Sequence, residues 1–193
     1  MNLVIIDYGA GNTKSVQFAC NRLGFYPVLS NNTELIKTAD KVIFPGVGHA
    51  VNAMEILKKS SLYVLIPTLT QPVLGICLGM QLLCNATEEG LIKGMGVFDV
   101  DVKRFSDAVK VPQMGWNTIS NLKSNLFMDI KSNVYMYLVH SYYAELCEHT
   151  IAQTNYGITY SSALKKDNFY GVQFHPEKSS TEGERILDNF LKL

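Results

Sequence analysis

Three short runs of uninterrupted apolar or glycine residues, each closed by a glycine-containing turn, limit what this chain can fold into. They are Leu3 to Ile6 before Tyr8-Gly9-Ala10-Gly11-Asn12, Val42 to Phe44 before Pro45-Gly46-Val47-Gly48, and Val73 to Ile76 before Cys77-Leu78-Gly79. A run with no polar position has no solvent face, which is the pattern of a parallel strand covered on both sides. Between the runs the spacing turns helical. Val16, Ala19, Cys20 and Leu23 share one face before Gly24, and Val51, Met54 and Leu57 share another. Tyr26 to Leu29 reads as a further strand, and Thr33 offers a cap for a short helix through Ala39. Strand alternating with helix predicts an α/β fold with a doubly wound, mostly parallel sheet, and places ligands at the carboxyl ends of its strands. All three glycine turns lie at such ends.

Beyond Asn85 the pattern changes. Phe98, Val100 and Val102 alternate with Asp99, Asp101 and Lys103, the signature of a half-solvated strand and hence of an antiparallel extension to the sheet. Val111 to Asn117 reads as a loop that carries the only tryptophan, Trp116, which either packs locally or faces a partner. Val134 to Val139, Ile151 to Thr154, Thr159 to Leu164 and Phe169 to Phe174 read as strands. Thr181-Glu182-Gly183-Glu184 has the capping-box pattern for a last helix that buries Ile186, Leu187, Phe190 and Leu191. No repeat or linker divides the 193 residues, so a single domain over residues 1–193 is expected.

Seventeen basic residues balance seventeen acidic ones, so no charge field draws the chain to nucleic acid or an anionic membrane. No segment has the length and apolarity of a bilayer span, and Met1 to Asp7 lacks the basic start and long apolar core of a signal peptide. Cys20, Cys77, Cys84 and Cys147 show no C-x-x-C spacing, which argues against a zinc site or redox pair and fits a reducing, cytoplasmic setting. Lys14 occupies the place of the third glycine after Gly9 and Gly11, so a dinucleotide loop is not expected. No histidine pair has metal-ligand spacing, and neither cofactor nor metal is expected.

Cys77 stands between a strand and a segment, Leu78 to Cys84, with helical spacing; Gly75 and Gly79 lie two residues to either side. This is the pattern of a nucleophile elbow with sulfur in place of oxygen. The glycines answer to close backbone approach at the corner, and a helix N-terminus favours thiolate. A buried structural cysteine is the competing reading, and the existence of a base decides between them. His175-Pro176-Glu177 supplies one, for on an extended segment residues i and i+2 project to one side and Pro176 keeps His175 out of helical geometry. Glu177 would then orient the imidazole and stabilise imidazolium, while His175 takes the thiol proton and returns it to a leaving amine. A surface His-Pro-Glu at a strand end is the plainer alternative. His49 has no neighbouring carboxylate in sequence, His149 lies in a polar stretch, and His140 ends a buried strand as a core histidine would. The glycines of Pro45 to Gly48 serve either a tight turn or a loop whose N–H groups point into a site.

Gly75-Ile76-Cys77-Leu78-Gly79-Met80-Gln81 with His175-Pro176-Glu177 resembles the triad-type, class I glutamine amidotransferases, which have a flavodoxin-like sheet. Asp7 to Asn12, Pro45 to Gly48, Pro112 to Asn117 and His140-Ser141-Tyr142 are similar to motifs of one branch, the glutaminase subunits of imidazole glycerol phosphate synthase, and the resemblance runs from first strand to last helix. It implies hydrolysis of L-glutamine through a Cys77 thioester, with His175 and Glu177 completing a triad and the N–H groups of Val47 and Leu78 holding the oxyanion. It implies that Gly48, Gln81, Ser141 and Tyr142 bind the amino-acid end of glutamine. Met114, Trp116, Tyr137 and Lys178 would lie at the partner interface and ammonia exit. The implied partner is a barrel-shaped cyclase subunit, in a heterodimer that makes imidazole glycerol phosphate and AICAR for histidine biosynthesis. The chain departs from the family where His49-Ala50 follows Gly48 in place of Ala then Phe, which alters packing beside the loop and not its backbone donors. Two other readings stand beside this one: a paralogous subunit supplying ammonia to another acceptor, such as a surface sugar, and a non-catalytic interaction module with the same fold.

Overall fold

The computed structural model describes residues 1–193. In chain order the first half contains β1 (Leu3–Ile6), α1 (Thr13–Arg22), β2 (Val28–Ser30), α2 (Thr33–Lys37), β3 (Lys41–Gly46), α3 (Ala50–Lys59), α4 (Leu62–Leu65), β4 (Val73–Cys77) and α5 (Leu78–Leu82). The second contains β5 (Cys84–Thr87), β6 (Ile92–Lys93), β7 (Phe98–Arg104), β8 (Gln113–Ile119), β9 (Val134–His140), β10 (Tyr142–Ala144), β11 (Thr150–Tyr156), β12 (Ile158–Lys166), β13 (Phe169–Val172) and α6 (Ser180–Lys192). One sheet runs in the order β2-β1-β3-β4-β13-β12-β10-β7-β5-β6, with β11 paired to β12. It is parallel from β2 to β13 and mixed beyond, where β13, β12, β10 and β7 pair antiparallel. The expected α/β sheet and its antiparallel extension are both present.

The apolar runs explain the layering. Leu3 and Ile5 point into one core cluster with Ile43, Leu74 and Ile76, while Val4 and Ile6 point into another with Val42, Phe44 and Val73. Each strand therefore buries both faces, and α1 and α6 cover one side while α3 and α4 cover the other. A fully buried Leu, Ile or Phe is worth roughly 1.5–3 kcal/mol, so a polar residue in any of these runs forfeits that and adds a desolvation cost.

Several boundaries differ from the sequence reading, each for a visible reason. The short second helix is capped by Asn32, whose side chain accepts from Glu34 and Leu35 N–H, rather than by Thr33. The elbow helix stops at Leu82, because residues 95 to 98 donate to the carbonyls of Leu82, Leu83 and Cys84 and draw the chain into β5. Val111 to Asn117 is not a loop throughout. Gln113 onward forms β8, a hairpin partner of β9 in a separate two-stranded sheet. The capping box at Thr181 does not form, since α6 begins at Ser180 and the hydroxyl of Ser179 is engaged elsewhere. No helix is long and apolar enough to cross a membrane.

Candidate active site

Parallel pairing brings three strand ends together. Gly46 of β3 is in register with Cys77 of β4, and Val172 of β13 is in register with Ile76, so the segments after β3, β4 and β13 emerge side by side. Cys77 turns the corner at φ 54°, ψ −113°, a conformation that costs a residue with a Cβ of order 1–3 kcal/mol and persists only where the surroundings enforce it. Here they do. A Cβ on Gly79 would strike the Phe44 carbonyl oxygen of β3, and one on Gly75 would lie 2.9 Å from the Met80 nitrogen. The glycines are thus required by backbone packed on backbone, as their spacing suggested. Cys77 caps α5 and is 7% exposed, enough to reach the cavity in front of it.

That cavity, of about 340 Å³, is lined by Val47, Gly48, Cys77, Leu78, Gln81, Glu89, Pro112, Val139, His140, Ser141, Tyr142 and His175. It gathers the expected nucleophile, base, oxyanion pair and substrate-end residues into one space. Glu177 stands behind His175, its Oε1 2.9 Å from Nδ1 and its side chain 1% exposed. The pair forms across a 3₁₀ turn, Pro176 to Lys178, rather than along an extended strand, since β13 ends at Val172. Nε2 of His175 has no hydrogen-bond partner, and neither has Oε2 of Glu177. Burial works to lower the pKa of His175, but the neighbouring Cys77 and Glu177 outweigh it and raise the value to about 10. Cys20 and Cys84 are different. Burial pushes Cys20 up to about 12 and Cys84 higher still, so both stay protonated in the core.

Gln81 is 4% exposed and already uses both amide protons, donating to Tyr142 O at 2.9 Å and Gln173 Oε1 at 2.8 Å. His140 is a satisfied buried histidine, yet it also lines the cavity. Burial lowers its pKa to about 4, and its Nδ1 lies 2.6 Å from Tyr142 O. His49 caps α3 by accepting from Val51 N–H, and His149 lies tilted toward the Phe98 ring; neither reaches the cavity. No group of three His, Cys, Asp or Glu side chains is placed to hold a metal ion.

Two residues that the sequence reading passed over stand out. Glu89 is the cavity's only carboxylate and also accepts from Ala50 N–H at 2.9 Å, and Gln173 directs Nε2 at Cys77 Sγ from 3.8 Å. Glu89 sits in a polar turn without periodicity, and Gln173 sits in an apolar strand end, so neither carried a local signal.

The predicted interface residues form a separate face on the β8–β9 hairpin. Met114 is 66% and Trp116 53% exposed, Trp116 is paired with Tyr137 across the hairpin with ring centroids 6.1 Å apart, and Lys178 Nζ lies 5.9 Å from the Tyr137 ring. This face adjoins His175 directly. His175 N–H donates to Tyr137 O at 2.9 Å, the Ser179 hydroxyl donates to His175 O at 2.6 Å, and Tyr137 N–H donates to that hydroxyl at 2.9 Å.

A strained cysteine at a strand-to-helix elbow, lining a half-open cavity together with a carboxylate-backed histidine, is the arrangement of a thiol-dependent enzyme of the α/β class. The chain belongs to the class I glutamine amidotransferase family: the profile described as "Glutamine amidotransferase class-I" matches residues 4–193. It is 54% identical to a protein of Bacteroides fragilis strain YCH46 named imidazole glycerol phosphate synthase subunit HisH, over 100% of both chains. It is 49% identical to a protein of the same name from Pectobacterium atrosepticum, again over 100% of both. A crystal structure of a glutamine amidotransferase superposes with a TM-score of 0.77 at 16% identity, covering 98% of this chain and 97% of the other, a likeness of fold alone.

Proposed function

We propose that this chain is the glutaminase subunit of an imidazole glycerol phosphate synthase, releasing ammonia from L-glutamine for a barrel-shaped cyclase subunit in histidine biosynthesis. The observation that carries the reading is the shared cavity of Cys77, His175, Val47, Leu78 and Gln81, backed by Glu177. His175 takes the proton of Cys77, and the imidazolium so formed is favoured by the same two neighbours that raise its pKa. Sγ attacks the carboxamide carbon. The oxyanion is received by the N–H groups of Val47 and Leu78, a kind of contact whose loss costs about 10²- to 10³-fold in rate. His175 then protonates the departing nitrogen, ammonia leaves, and a γ-glutamyl thioester remains. Water, deprotonated by His175, attacks the thioester carbon, releases glutamate and restores the thiol.

The ends of the cavity suit an amino acid. Glu89 offers a carboxylate to the α-ammonium and Gln81 still has its carbonyl oxygen free for the same group, while Ser141, Tyr142 and Gly48 border the space left for the α-carboxylate. The aromatic face of Met114, Trp116 and Tyr137, with Lys178, is rich in the residue types that anchor partners. Names shared by relatives of full-length likeness favour the cyclase of the histidine pathway over a sugar-modifying acceptor. We read residues 1–193 as one amidotransferase domain at work in the cytoplasm, in keeping with four free cysteines.

The test is Cys77→Ala in the complex captured by pull-down of the partner. The variant complex is expected to lose glutamine-dependent turnover while still using added ammonia. Loss of both activities, or glutaminase activity of the lone wild-type chain equal to that of the complex, overturns the coupled reading.

A further inference from the structure

We infer that Gln173 is a further catalytic group at the reacting sulfur: it ends a one-way chain of hydrogen bonds that starts at the Tyr142 carbonyl, passes through Gln81 and delivers an N–H to Cys77 Sγ. The inference rests on the glutaminase reading above for its chemistry, and on geometry for its direction. A backbone carbonyl only accepts, so Gln81 must turn Nε2 toward Tyr142 O, at 2.9 Å. The second proton on that nitrogen goes to Gln173 Oε1, at 2.8 Å. With its oxygen so engaged, Gln173 presents its own Nε2 to Sγ at 3.8 Å. Turning over either amide sets donor against donor or carbonyl against carbonyl, so the polarity of the chain is fixed.

The chain is well anchored. Tyr142 O also receives Nδ1 of the neutral His140, and Gln173 is held at its own backbone by a bond from its N–H to Ser162 O at 2.9 Å. Gln173 is 0% and Gln81 4% exposed, so water competes little and each bond polarises the next. The 3.8 Å contact is long for a neutral thiol and shortens as the sulfur gains charge, because hydrogen bonds to ionised acceptors are shorter and stronger. A thiolate beside Gln173 therefore gains a donor that the thiol barely uses.

The same polarity couples the sulfur to substrate. Gln81 Oε1 is the one polar atom of its amide left over, and Gln81 lines the cavity. An ammonium resting there draws charge from the Gln81 amide and sharpens its N–H groups as donors. Gln173 then donates more strongly to Sγ. Occupancy at the amino-acid end thus reaches the nucleophile without any movement of the backbone, and an amide that lacks the ammonium meets a less stabilised thiolate.

Gln173→Met keeps the volume and removes both polar atoms. We expect the pH profile for alkylation of Cys77 by iodoacetamide, followed by peptide mass spectrometry on the full chain, to be displaced about one unit to the alkaline side, a roughly tenfold loss of rate on its rising limb. In the partner complex kcat for glutamine falls while KM changes little, since Gln173 does not line the cavity. Gln173→Glu, which retains the acceptor for Gln81 and turns an oxygen toward sulfur, shifts the profile further and serves if the Met variant does not fold. Combining Gln81→Met with Gln173→Met shifts the profile no more than Gln173→Met alone. An unmoved alkylation profile in a folded Gln173 variant, or additive shifts in the double variant, overturns the relay. A chain that is not a glutaminase reveals itself separately, by absent turnover in the wild type.

Discussion

Replacing Glu177 by glutamine removes one charge from the site and almost nothing else. The carboxylate is buried, holds His175 Nδ1 at 2.9 Å through Oε1, and leaves Oε2 without a partner, so an amide fits the same space and still offers an oxygen to Nδ1. Burial alone depresses the pKa of His175; Cys77 and Glu177 together lift it to about 10. A hydrogen bond to a charged group contributes about 1.5–3 kcal/mol, and one pKa unit corresponds to about 1.4 kcal/mol, so Glu177→Gln is expected to lower His175 by about one to two units. The sign for stability follows from the raised value. A group whose pKa rises on folding stabilises fully below its unfolded value of 6.5 and loses that contribution as pH climbs through about 10. The variant loses its smaller contribution earlier. Wild type and variant should therefore differ by about 1.5–3 kcal/mol in urea unfolding near pH 6, and the difference should close above about pH 10. Histidine side-chain NMR titration reads the shift directly. A His175 titration displaced by less than about half a unit, or displaced upward, refutes the account of what holds the proton there.

Two other substitutions test the corner and the cavity. Gly79→Ala drives a Cβ into the Phe44 carbonyl with no side chain able to yield, and should cost about 3 kcal/mol in equilibrium urea unfolding; a loss under about 1 kcal/mol means the elbow is looser than drawn. Glu89→Gln keeps an acceptor for Ala50 N–H and removes the charge offered to the α-ammonium, so KM for glutamine should rise about ten- to a hundredfold with kcat nearly constant. An unchanged KM removes Glu89 from the binding site.

What the sequence made legible was local chemistry repeated at a recognisable spacing. Leu3 to Ile6, Val42 to Phe44 and Val73 to Ile76 had no polar face to mislead, and each is a buried parallel strand. Cys77 between two glycines announced its corner because the backbone there tolerates nothing larger. Trp116 did not announce its strand. Met114 and Trp116 are exposed on the hairpin, so the alternation of β8 lacks the buried side that marks a strand in sequence. Ser179 and Thr181 competed for the start of α6, and the tertiary demand of His175 and Tyr137 on the Ser179 hydroxyl decided what that residue does. Gln173 owes its position to register between strands far apart in the chain, and Glu89 to a turn tied to the start of α3, neither of which spacing along one segment can express.

The ring that joins Tyr137, His175 and Ser179 consists of main-chain groups apart from a single hydroxyl. Main-chain donors and acceptors survive almost any substitution except proline. The side chains of Trp116 and Tyr137 are therefore free to diverge, reshaping that face, while His175 behind it keeps its setting. Two lineages with differently surfaced hairpins can share one unaltered setting for His175, and only Ser179 ties the evolution of the one to the other.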